Sequence, residues 1–249
     1  MATSTNADIL VLNENHVSSE ETLQALRKNV SRNFYCPIAS PTERFHCFCK
    51  NHELDMSEIH SGLRMSVRKL KIGSHRTLLG LVHGVDMRNY DSETRQSFAQ
   101  TIADEIRFVQ GQQNTNKFIL LGDFNMNPYD RGMNLAAGLN AMMTKSCIER
   151  GYRKHLEREY DFYYNPMWSL LGDKTDGPAG TVYDTSNQGQ YGWSMLDQVI
   201  ISYSIVGLFR SVKILTEAGT ESLMNSKGHP DAVHTSDHFP LLVEFRGEQ

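Results

Sequence analysis

Two hydrophobic rhythms alternate along this chain. Ala7-Asp8-Ile9-Leu10-Val11-Leu12 is a short strand-like run that stops at Asn13-Glu14. A helix is predicted next. Ser18 and Glu21 fit a capping box, in which each side chain satisfies the other residue's backbone N–H, and Leu23, Leu26 and Val30 recur at helical spacing. Residues 65–72 and 77–85 read as two strands around a Gly73-Ser74 turn. Asp91 or Ser92 can cap a second helix, with Phe98, Ile102, Ile106 and Val109 as its apolar stripe and Gly111 as its stop. Phe118 to Leu121 is a fully apolar strand, and a further helix is predicted from about Met133 to Ile148. From Asp161 to Trp193 the residues Gly, Asp, Asn, Pro and Tyr dominate, which predicts long ordered loops. Residues 196–201, 212–215 and 241–245 close the chain as strands. Strands and helices mix throughout, without repeat, low-complexity tract or linker, so one α/β domain over residues 1–249 is expected.

Polar clusters sit against these strands. Gly122-Asp123-Phe124-Asn125 directly follows Phe118-Ile119-Leu120-Leu121, and Ser236-Asp237-His238 directly precedes Pro240-Leu241-Leu242-Val243. Around Phe124, Asp123 and Asn125 would share one side of an extended chain while Phe124 points to the core. An Asp and Asn that merely cap a strand-end turn are the ordinary alternative. Glu14, past its own strand end, either holds a cation or faces solvent. Asp197 opens the run Leu196-Asp197-Gln198-Val199-Ile200-Ile201-Ser202. An unpaired acid at the start of a buried strand is costly, and a histidine is its natural partner. Such a pair fixes the imidazole tautomer and favours its protonated form. An acid, an amide, a second acid and an imidazole at strand ends suit a divalent metal and water activation on a phosphate.

Composition narrows the setting. Hydrophobic residues make up 39% of the 249, ordinary for a globular chain. No run approaches the roughly 18 apolar residues of a membrane span. The start Met1-Ala2-Thr3-Ser4-Thr5-Asn6 lacks the basic-then-apolar pattern of a secretory signal. Cys36, Cys47, Cys49 and Cys147 are too few for a disulfide scaffold, so a reducing, cytoplasmic setting is expected. Net charge is -4, which does not point to nucleic acid and does not exclude a local basic patch. Arg64, Arg68, Lys69, Lys71, His75 and Arg76 form one basic segment, readable as a phosphate-facing surface or, more ordinarily, as a solvated strand and turn. The stretch His46-Cys47-Phe48-Cys49-Lys50-Asn51-His52 lacks paired zinc spacing and alternates as a strand does.

Residues 8–14, 122–125, 196–202 and 236–238 carry four short motifs in an order that resembles the endonuclease/exonuclease/phosphatase superfamily, across nearly the whole chain. The resemblance implies a deoxyribonuclease-I-like four-layer α/β/β/α sandwich, with the site at one end of two sheets. It also implies phosphate-ester hydrolysis with Mg²⁺ or Mn²⁺. Under it, Glu14 and Asp237 resemble the metal-side carboxylates. Asp123 resembles the residue that orients or deprotonates water, and Asn125 the amide at the phosphoryl oxygens. His238, held by Asp197, resembles the phosphate-contacting histidine; the roles of Asp123 and His238 trade between branches. His83 resembles a second histidine of several branches, with a rim or core histidine as its ordinary reading. Arg88 and Trp193 are candidate substrate contacts; Trp168 and Tyr191 lie in the same loops as Trp193, where base stacking and self-packing are equally open. The family usually begins with an asparagine-bearing strand well before the glutamate. Here only residues 1–7 precede the first strand. Either the chain lacks that element, a partner chain or self-association covers the resulting edge, or the true start lies upstream.

Three functions follow as expectations. The favoured one is a nuclease acting on DNA or RNA. A phosphatase or phosphodiesterase acting on a phosphoinositide or nucleotide is the second. A non-catalytic binding module of the same fold is the third.

Overall fold

The computed structural model describes residues 2–39, 44–173, 175–186 and 191–247. Helix α1 (Ala2–Thr5) leads into strand β1 (Ile9–Leu12), and helix α2 (Ser19–Asn29) starts at the predicted box. The Ser18 hydroxyl accepts from the Glu21 N–H, and the Glu21 carboxylate accepts from the Ser18 N–H. Strands β2 (His46–Cys49), β3 (Glu58–Ser61), β4 (Met65–Ile72) and β5 (His75–His83) follow, with β4 and β5 paired as the predicted hairpin. Asp91 caps helix α3 (Ser92–Gln113) by accepting from the Thr94 N–H. Gly111 does not end this helix. It continues until Asn114 takes the left-handed position at φ 48°.

Strand β6 (Phe118–Asp123) forms as expected, but the helix expected over residues 133–148 does not. One turn, α4 (Arg131–Asn134), gives way to strand β7 (Ala141–Met142) and a short 3-10 turn at Ser146–Ile148. Side-chain amides compete with the helix here. Asn134 donates to the Pro128 and Asp130 carbonyls, and Asn140, at φ 50°, donates to the Tyr160 and Asp161 carbonyls. Strands β8 (Tyr152–His155) and β9 (Arg158–Asp161) follow, and the region expected as loops from Asp161 onward is partly regular, with β10 (Tyr163–Tyr164), β11 (Val182–Asp184) and β12 (Gly192–Ser194). The chain closes with β13 (Asp197–Ser202), β14 (Phe209–Ile214), β15 (Glu217–Ala218), β16 (Glu221–Ser222) and β17 (Leu241–Phe245).

The central sheet has seven strands in the order β3-β4-β5-β6-β13-β10-β7. Alternation along β6 divides its apolar residues between the two faces. Phe118 and Leu120 meet Ile102, Ile106 and Val109 of α3. Ile119 joins Leu79, Leu81, Val199 and Ile201 against Cys47 and Cys49 of β2, Val212 of β14, and the half-buried Leu241, Val243 and Phe245 of β17. Beyond β1 and β2, Leu10, Leu12 and Phe48 pack with Leu23, Leu26 and Val30. Cys47 and Cys49 are therefore core residues. Among the described residues, β1 pairs with β2 and β17 with β14, and no ladder joins the two pairs. No helix among them is long and apolar enough to cross a membrane.

The basic segment does not act as one surface. Arg68 is 0% exposed; it donates to the Met56 carbonyl at 2.9 Å and lies 3.7 Å from the Glu58 carboxylate. Lys69 and Lys71 on the same strand are exposed.

Gly122 lets β5 and β6 close on each other. Its φ is +146°, and an added Cβ would stand 2.0 Å from the Val82 carbonyl oxygen. Gly122→Ala should cost more than about 2 kcal/mol through strain and overlap. Ser18→Ala, which removes only a cap, should cost about 1 kcal/mol. Urea denaturation of the two variants checks the order; equal losses would contradict it.

Candidate active site

Three strand ends set the first row of functional groups. In the parallel β5–β6 ladder His83 stands opposite Asp123, and in the antiparallel β6–β13 ladder Asp123 stands opposite Asp197. Backbone register therefore places an imidazole and two carboxylates side by side across three adjacent strands. Side chains directly opposite one another in a sheet lie on the same face, roughly 5 Å apart at Cβ.

Asp123 and Asn125 do end on the same side, but not through an extended backbone. Asn125 is at φ 50°, and the turn folds it back onto Asp123. Its backbone N–H donates to Asp123 Oδ1 at 2.7 Å and its side-chain Nδ2 donates to Asp123 Oδ2 at 2.8 Å. Phe124 between them is buried in the α3-side core, as the pattern predicts.

His238 reaches the row from the loop before β17. Its Nδ1 lies 2.8 Å from Asp197 Oδ2, the pairing anticipated for an acid at the start of β13. Its backbone N–H donates to Ser236 Oγ, and a bridge to Val182 ties it to β11. Glu14, also at positive φ, brings Oε1 to 3.5 Å from His83 Nε2; Asp123 Oδ2 is 3.9 Å from the same nitrogen. Asp237 is an exposed carboxylate whose charge acts on His238.

The electrostatics separate the groups. Burial pushes Asp123 up to about 7, helped by the Asp197 carboxylate and opposed by His238. Burial works against the charged form of His238, but the hydrogen bond and charge of Asp197, with Asp123 and Asp237, outweigh it and raise His238 to about 9. His83 moves the other way: burial lowers it, against the pull of Glu14, and Arg64 and Arg44 lower it further. Near neutrality the site thus holds one charged imidazole, one imidazole biased to neutral, and one carboxyl close to its own titration point.

Side chains to which the sequence assigns no role hold this row in place. Thr181 Oγ1 accepts from both the Leu196 and Asp197 N–H groups, and the Thr181 carbonyl accepts from Phe239 N–H. Gln198, fully buried behind Asp197, donates to the Met126 carbonyl at 2.5 Å and accepts from Asn165 Nδ2 at 2.7 Å. Asn127 Oδ1 accepts from the Met195 N–H. Gln198 carried one sequence signal, as an uncharged polar residue inside an apolar strand; Thr181 carried none.

Trp193 lies edge-on to Tyr183, with ring centroids 5.0 Å apart, and stacks loosely on Phe239 beside His238. Tyr183 stacks on His229 at 3.5 Å. Arg88, exposed in the turn after β5, lies near Asp184 of β11 and lowers its carboxyl behind the Ser186 hydrogen bonds. Trp168 sits apart in the 3-10 turn at Pro166–Leu170, its indole nitrogen buried.

Whether a hard cation fits depends on the oxygen donors. Among the described residues no group of three or more His, Cys, Asp and Glu side chains is gathered for a metal. Mg²⁺ requires only one or two protein carboxylates and keeps several waters. Glu14 is an open carboxylate, and next to it the buried Asn13 Oδ1 has no hydrogen-bond partner. Hard oxygen donors beside a crowded acidic row fit such an ion.

The fold is that of known structures. An endonuclease/exonuclease/phosphatase family protein from Bacteroides thetaiotaomicron aligns with a TM-score of 0.58 at 13% identity, over 100% of this chain and 84% of that one. Truncated Caenorhabditis elegans TDP2 aligns with a TM-score of 0.52 at 17% identity, over 99% and 87%. The 3' phosphatase NExo from Neisseria, bound to a product DNA hairpin, aligns with a TM-score of 0.53 at 15% identity, over 98% and 91%. No curated protein sequence matches the chain. The Endonuclease/Exonuclease/phosphatase family model matches residues 1–238, a span that contains every group in the row, and the chain therefore belongs to that family of phosphoester hydrolases.

Proposed function

We propose that this protein is a divalent-metal-dependent phosphodiesterase that hydrolyses DNA or RNA. The observation that carries the reading is the shared register of His83, Asp123 and Asp197, completed by the 2.8 Å His238–Asp197 pair. Asp123, with a carboxyl near 7, is suited to take a proton from water close to neutral pH. Asn125 holds that carboxylate through two hydrogen bonds and so fixes the direction in which it accepts. Asp197 secures the Nδ1 proton of His238. The cationic ring then directs its Nε2–H at a phosphoryl oxygen, where negative charge grows during attack. Glu14, with Asp237, would hold Mg²⁺ or Mn²⁺. When bound, the ion would polarise the phosphoryl oxygen and support the leaving oxyanion. Arg88 and Trp193 would meet substrate along the rim beside His238.

A phosphatase reading is favoured by one observation, the likeness to NExo, whose structure is described as a 3' phosphatase with a DNA hairpin. Salt separates a polynucleotide substrate from a small phosphoester. A nuclease that neutralises several phosphates weakens steeply as salt rises. A binding module of the same fold would bind nucleic acid and turn over neither DNA nor RNA with Mg²⁺ or Mn²⁺.

Asp123→Ala and His238→Ala should each lower kcat by about a hundredfold or more while the melting temperature stays near that of the parent. Near-parental turnover by either purified variant would refute the assignment. Asp123 must lose its proton to act and His238 must keep its own. The rate should therefore rise as pH passes about 7 and fall above about 9. Asp197→Asn removes a charge that raises both groups, so both limbs of a kcat/KM profile should move to lower pH. Limbs that stay in place would contradict the coupling. Chelator should abolish turnover, and Mg²⁺ or Mn²⁺ should restore it. With Glu14→Gln, the metal concentration for half-maximal rate should rise about tenfold or more; an unchanged requirement would remove Glu14 from the metal site.

A further inference from the structure

We propose that Arg64 is a phosphate-binding residue that forms an anion subsite on the His83 side of the centre. The proposal rests on the phosphoester reading above and extends it to a residue with no part in the row. Arg64 stands immediately before β4, and its position is fixed twice. Its carbonyl accepts from the His83 N–H at 3.0 Å, and its guanidinium Nη1 donates to the Gly84 carbonyl at 2.8 Å. Gly84 N–H in turn donates to the Asp123 carbonyl at 2.7 Å. An added Cβ at Gly84 would stand 2.2 Å from the Phe124 carbonyl oxygen, so this junction packs directly on the Asp123–Asn125 turn. The Arg64 guanidinium is thereby anchored at the strand ends that carry His83 and Asp123.

Among the described residues its charge has no carboxylate partner. Arg64 is half-buried, yet among the described residues no carboxylate lies within ion-pair distance of it. Arg68, four residues on, is matched by Glu58, and Arg107 by Asp104. Glu14 and Asp123 approach His83 instead, and Glu105 approaches His60. A guanidinium is always charged and carries five N–H donors in a planar fork that matches phosphate oxygens. One donor is spent on Gly84, and the rest suit an incoming oxyanion. Arg44 adds to the same local positive field, since both arginines disfavour the charged form of His83. Two sources supply the chemistry: the scissile phosphate, or the next phosphate along a polynucleotide.

Arg64→Gln and Arg64→Lys test this with bis(p-nitrophenyl) phosphate, an oligonucleotide, and inorganic phosphate as a binding probe. Charge-assisted hydrogen bonds to phosphate predict a KM about tenfold higher or more for Arg64→Gln, with kcat changed less than about threefold. Arg64→Lys should recover part of the loss, because it keeps the charge and lacks the fork. The phosphate-induced rise in melting temperature of the parent should shrink in Arg64→Gln. A higher KM on both substrates assigns the scissile phosphate, and on the oligonucleotide alone the adjacent one. A lower melting temperature with unchanged KM and an unchanged phosphate-induced shift would mean Arg64 is only structural, and would overturn the proposal. If the parent protein turns over neither substrate, the phosphoester reading fails, and the phosphate-induced shift still decides the role of Arg64.

Discussion

The site depends on backbone pairing before it depends on any side chain. The β5–β6 and β6–β13 ladders fix His83, Asp123 and Asp197 as cross-strand neighbours, and a slip of one residue in either ladder would turn a member of the row to the opposite face. Gly122 makes that register possible, because the chain passes Val82 where a side chain would not fit. Apolar packing on both faces of β6 then holds it, with Phe118 and Leu120 on the α3 side and Ile119 on the other. The chemistry is thus built onto rigid strand ends, and the groups that complete it arrive on loops.

A single carboxylate, Asp197, has opposite consequences for its neighbours. Toward His238 it is a hydrogen-bond partner and a counter-charge, so it holds the imidazolium. Toward Asp123 it is a like charge in a partly dry site, so it raises the proton affinity of that carboxyl. One acid thereby raises the proton affinity of both a carboxyl and an imidazole beside it, while burial biases His83 to its neutral form.

Much of this was legible in the sequence. The strand Phe118–Leu121 is legible from its unbroken apolar run, the stripe of α3 from its period, and the box at Ser18 and Glu21 from local chemistry. The pairing of Asp197 with a histidine followed from the cost of an unpaired acid at the start of a buried strand. The helix expected near Met133 did not form, because Asn134 and Asn140 spend their amides on nearby carbonyls and Ala141–Met142 pairs with Tyr163–Tyr164. The basic segment split because Arg68 lies on the inward face of β4, next to Glu58, a residue of another strand. Thr181 and the Tyr183–His229 stack join parts of the chain far apart in sequence, and no local pattern signals such contacts.

If the row acts as one unit, its members should not contribute independently. A double-mutant cycle on kcat/KM with Asp123→Asn, Asp197→Asn and the double variant measures this directly. The double variant should lose little more than Asp123→Asn alone, because Asp197 acts through the Asp123 and His238 groups it adjoins. Losses that multiply, with the two substitutions acting independently, would contradict it.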